Sequence, residues 1–163
     1  MKMRQRYFTP VVLSLLVGIG GALVSGGTSA LAGTTTLVIP IAGTVDGLPE
    51  SVSLSGKVQI QSRMVTDPDF GTPPAVILSI DFLSVFGQGL STGARYVVAG
   101  EQVLRRMLAP SDLVELTFAF FPQGPDGALL ARPALASFSM SFDVTTGNLT
   151  GATGSVNTVD LPD

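Results

Sequence analysis

From Leu113 to Phe121 the chain reads Leu-Val-Glu-Leu-Thr-Phe-Ala-Phe-Phe. Val114, Leu116, Phe118 and Phe120 share one side of an extended backbone, with Glu115, Thr117 and Ala119 on the other. Successive side chains of a strand point to opposite faces, so this alternation predicts a half-buried strand. Residues 137–144 repeat it: Phe138, Met140, Phe142 and Val144 inward, Ser137, Ser139, Ser141 and Asp143 outward. The longest run is 51–65, where Val52, Leu54, Val58 and Ile60 oppose Ser53, Ser55, Lys57, Gln59, Gln61 and Arg63. Gly56 falls on its apolar side, where a bulge or a close neighbour would account for it. Val76, Leu78, Ile80 and Phe82 mark a further strand over 76–86. The inward phenylalanines and Met140 are expected to fill the core.

Between these runs stand turn signals. Asp46-Gly47 predicts a two-residue hairpin after residues 34–45, and Pro40 limits that strand to an edge or breaks it. Residues 66–74, 87–93, 122–127 and 145–148 read as loops or turns, 94–99 as a short strand, and Pro133 as an interruption before 137. Residues 101–108 are expected to form a short helix. Val103, Leu104, Met107 and Leu108 make one stripe, Glu101 suits the first turn, and Arg105 and Arg106 suit the last. Residues 149–159 alternate weakly and are expected to form an exposed edge strand. The result is an all-β reading, a single antiparallel β-sandwich or flattened barrel of about 7–8 strands with that one helix.

The N-terminus changes the picture of where the domain works. Lys2, Arg4 and Arg6 precede an apolar run from Val11 to Val24, and Ala30-Leu31-Ala32 fits a small-residue cleavage site. Residues 1–32 are therefore read as a signal peptide, with Gly33 the first residue of a single β-domain over 33–163. The apolar run, interrupted by Gly18, Gly20 and Gly21, is short against the roughly 20 residues of a membrane span. Export to the periplasm or the extracellular space follows, with membrane contact only through this segment if it is retained.

Composition narrows the chemistry. The 163 residues include 19 Gly and 11 Pro but no Cys, His or Trp. No disulfide, thiolate ligand or imidazole base is available. Loss of residues 1–32 removes three of nine basic residues and none of the twelve acids, leaving a net charge of −6. That balance argues against nucleic acid as a partner.

Four groupings of side chains have the composition of a site. Asp67-Pro68-Asp69 places two carboxylates in one loop, and oxygen ligands suit Ca²⁺, the one cofactor considered; a proline turn braced by its aspartates is the plain alternative. Arg95, Arg105 and Arg106 converge into an anion site only if the helix lies across one end of the sheet, and a Glu101–Arg105 helical pair would occupy one of them. Ser55 and Lys57 share a strand face, but a dyad needs a desolvated lysine and this face is polar. Thr153, Val156 and Thr158 lie on the expected edge strand, whose backbone would pair with another protein or a second copy.

No nucleophile-elbow, P-loop or dinucleotide fingerprint is present. The functional expectation is an exported, non-enzymatic binding, surface or assembly module. Its rivals are a carboxylate-dependent, glycosidase-like hydrolase using two of Asp67, Asp69, Asp81 and Glu115, and a small outer-membrane barrel, which needs aromatic girdles. A carrier for an apolar ligand would need an interior larger than its side chains fill.

Overall fold

A computed structural model describes residues 33–66 and 74–159; residues 1–32, read above as a signal peptide with its cleavage site, and Asp67 and Asp69 lie outside them. Among these residues nine strands follow in chain order: β1 (Thr34–Val45), β2 (Val52–Val65), β3 (Ala75–Asp81), β4 (Phe86–Gly89), β5 (Arg95–Ala99), β6 (Glu101–Met107), β7 (Ser111–Pro122), β8 (Arg132–Phe142) and β9 (Leu149–Asn157). The only helical element among the described residues is a 3-10 turn, Gly127–Leu130. The strands form one sheet in the order β1-β9-β8-β7-β5-β4-β2-β3-β6, and β1 also pairs with β2, which closes it into a flattened barrel. All pairings are antiparallel except β1 with β9.

The predicted faces hold. Val52, Leu54, Val58 and Ile60 of β2, Val114, Leu116, Phe118 and Phe120 of β7, and Phe138, Met140 and Phe142 of β8 are all buried. Phe82 meets Phe118 with ring centroids 4.6 Å apart, and Tyr96 meets Phe120 at 5.8 Å. Both separations fall in the range where aromatic pairs attract beyond their buried area. Val144, expected inward, lies past the end of β8 and is exposed.

β2 shares its second edge between two partners. Gln59–Val65 pairs with β3 and Val52–Ser55 with β4. The link between them crosses Gly56, where an added Cβ would run into the Ser84 carbonyl. A close neighbour therefore explains the glycine on the apolar face, and this crossing divides the expected 76–86 strand in two.

The expected helix over 101–108 is instead β6, paired residue by residue with β3 from Asp81↔Glu101 to Ala75↔Met107. Seven residues make a marginal helix, whereas the neighbouring strand satisfies their backbone along the whole length. Met107, part of the supposed buried stripe, is 75% exposed. The chain bends at Gly100 (φ 150°), so β5 pairs with β7 while β6 follows β3 away from it. Side chains bridge the divergence: Gln102 Nε2 donates to the Thr117 carbonyl at 2.9 Å, and Arg106 donates twice to Asp112, each at 2.7 Å.

Two turns also differ from expectation. The β1–β2 connection spans residues 46–51 and contains a cis Leu48–Pro49 bond, so it is longer than a two-residue hairpin. β1 continues unbroken through Pro40, and β8 through Pro133. The 149–159 segment is not an open edge: β9 lies between β8 and β1, whose backbones approach at Gly43↔Val156.

Candidate functional site

Three connections meet at one end of the barrel: residues 46–51, 90–94 and 123–131. Glu50, buried although charged, ties the first to the second. Its carboxylate accepts the Ser91 N–H at 3.0 Å, the Thr92 N–H at 2.9 Å, the Thr92 hydroxyl at 2.7 Å and the Tyr96 hydroxyl at 3.2 Å. Four donors satisfy most of what an ionised carboxylate can accept, and this offsets its removal from water. The Thr92 hydroxyl, then the Thr92 N–H, hold Glu50 below its ordinary value, against the opposing effect of burial. Burial first, then Glu50, pushes the Tyr96 phenol up, so it stays a donor.

Arg132, the first residue of β8, ties the third connection to the first. It donates to the Glu50 carbonyl at 2.8 Å and the Asp46 carbonyl at 3.1 Å. Its guanidinium lies 5.1 Å from the centroid of the Phe120 ring, a cation–π distance. Thr158 accepts from the Asp46 N–H at 2.9 Å, so the start of the C-terminal tail joins the same brace.

On this scaffold sits an apolar rim. Leu48 is 89% exposed and Leu129 85%, and Leu90 and Leu130 are also exposed. Leu48, Pro49, Pro122, Leu130 and Ala131 surround a concavity of about 260 Å³ with Tyr96 and Arg132 in its wall. Of the four exposed leucines, Leu48 and Leu130 line the concavity itself.

No family model, curated protein or solved structure matches the chain.

The candidates drawn from sequence are dispersed. Arg95, Arg105 and Arg106 do not converge, because the helix their convergence required is β6. Arg95 begins β5, Arg105 points outward from β6, and Arg106 is engaged with Asp112. Glu101 accepts from Ser79 Oγ across the β3–β6 ladder rather than pairing with Arg105. Ser55 and Lys57 are exposed on the outer face of β2. Asp81 lies on β3, and Glu115 lies on β7 where it accepts from Ser137. Val156 is buried between strands and only Thr153 of the edge trio is fully outward. Neither Glu50 nor Arg132 stands out in the sequence, because a single Glu after Pro carries no motif and its partners lie 41 to 46 positions away.

The brace should make the domain acid-sensitive. Glu50, Asp112 and Asp143 are all held below their ordinary values, Asp112 chiefly by Arg106 and Asp143 chiefly by the Thr145 N–H. A depressed carboxylate contributes stability that is complete above its unfolded value and lost as pH falls through its folded one. The melting temperature should therefore drop as pH is lowered below 4.5, the ordinary value for Glu50. Glu50→Gln should melt lower at neutral pH and lose less on acidification; parallel curves for the two proteins would remove Glu50 from this role.

Proposed function

We propose that this chain is an exported, non-enzymatic module that binds a protein partner through the apolar rim of its braced loop cluster. The observation that carries the reading is the contrast between rim and support. Leu48, Leu129 and Leu130 are open to solvent, while the polar groups beneath them are bonded to one another. Pre-organised loops lose little freedom on binding, so more of the contact energy appears as affinity. Glu50 accepts from four donors within the chain, and Asp112, Asp143, Glu101 and Glu115 each hold a separate local partner. Such carboxylates serve the fold rather than a reacting group. The interior is apolar and the outward positions largely polar, the opposite sense to a membrane barrel, whose outer band is apolar.

The test uses the mature protein and the apolar dye 1-anilinonaphthalene-8-sulfonate as probe. Saturable binding is expected, and Leu48→Asp with Leu130→Asp should abolish it while leaving the melting temperature unchanged. Dye binding indifferent to those substitutions would remove the rim as a contact surface. A glycoside or ester turnover lost in Asp81→Asn would show the protein to be an enzyme instead.

A further inference from the structure

A second feature lies on the outer face of β2, β4 and β5 and takes in Gly93 of the 90–94 connection. Ser53, Ser55, Phe86, Gly87, Gln88, Gly93 and Arg95 line a trough of about 470 Å³, within the volume range of small-ligand sites. The strand registers make it a two-row array. Ser53, Gln88 and Arg95 stand side by side across the three strands, and Ser55, Phe86 and Val97 form the adjoining row. Phe86 is 52% exposed, whereas Phe82, Phe118, Phe120, Phe138 and Phe142 are buried. Among the described residues, the side chains of Ser53, Ser55, Gln88 and Arg95 make no hydrogen bond within the chain, and Arg95 makes no salt bridge. An aromatic face thus stands beside a guanidinium, an amide and two hydroxyls that have no partner among the described residues.

We propose that this trough binds a saccharide carrying a single carboxylate, such as a uronic-acid residue of a glycan. The C–H face of a pyranose ring packs on Phe86, its hydroxyls meet Gln88, Ser53 and Ser55, and its carboxylate takes the two-pronged donor of Arg95. Each part of the array then has a role. A small carboxylate alone would leave Phe86 unused, and a neutral sugar would leave Arg95 unused. A nucleic acid or polyphosphate is disfavoured by the net charge of −6 on residues 33–163 and by a single cation in the trough. The inference stands apart from the loop-cluster reading, since no lining residue is shared.

Calorimetric titration of the mature protein tests it with three probes: a disaccharide ending in glucuronic acid, the same disaccharide ending in glucose, and acetate. The acidic disaccharide should bind tightest. Arg95→Gln should weaken it by about tenfold or more, the scale of one charge-assisted hydrogen bond, and leave the neutral sugar unchanged. Phe86→Ala should weaken both sugars; both positions are exposed, so both variants are expected to fold. Leu130→Asp should bind the acidic sugar like wild type, which separates failure of this site from failure of the rim. Wild type that binds neither sugar, acetate that binds as well as the disaccharide, or Arg95→Gln without effect would each overturn the proposal.

Discussion

Phe138→Ala is expected to destabilise the domain by about 3–5 kcal/mol, the range for a buried phenylalanine whose surroundings collapse only in part. Phe138 has no exposed surface. It sits mid-barrel on β8, paired with Val114 of β7 on one side and Gly154 of β9 on the other. Gly154 has no side chain to move into the vacated space, and a Cβ there would lie 2.9 Å from the Phe138 ring. The ring therefore occupies volume that its neighbour leaves empty, and truncation opens a cavity held by two strand backbones. Ser139→Ala, one position along and facing outward, should change stability by less than about 1 kcal/mol. Chemical denaturation of both variants measures the difference, and equal losses would mean that the faces of β8 are misassigned.

Gly43→Ala should be nearly as severe, at about 3 kcal/mol, the upper part of the usual range for forcing atoms into a packed site. A Cβ on Gly43 would run into the carbonyl group of Val156. The obstacle is backbone, so no side-chain rotation relieves it, and β1 must move away from β9. That contact is the parallel pairing that joins β1 to β9 in the sheet. Amide exchange should rise along β9 more than along β7, because the displaced strand covers only the former. Gly151→Ala is the control, since nothing lies within 4 Å of a Cβ at that position; it should stay within about 0.5 kcal/mol of wild type. A Gly43→Ala protein as stable as the control would mean that the two strands are not in close contact.

Several features were written locally in the chain. The period-two runs of β2, β7 and β8 placed their inward residues correctly because burial of one face admits one register, and a slip by one residue would turn every apolar side chain to water. Gly56 announced a close neighbour by standing where an apolar residue belonged. The 101–107 segment shows where local reading ends. Its apolar residues suit a helical stripe, and only the ladder offered by β3, 20 or more positions earlier, decides for a strand. The C-terminal segment shows the same limit, because its weak alternation is that of an edge until β1, more than 100 positions away, comes to lie beside it.

The candidate site was the least legible part. Glu50 alone in sequence is an ordinary loop acid, and Arg132 an ordinary strand end. They become a brace when closure of the barrel brings residues 46–51, 90–94 and 123–131 to one end, where four donors offset the cost of taking the Glu50 carboxylate out of water. Local alternation determines which side of a strand is buried, since that depends on two residues at a time. Which loops share an end, and which strands have no open edge, depends on the order in which nine strands close, and no window of the chain contains that order.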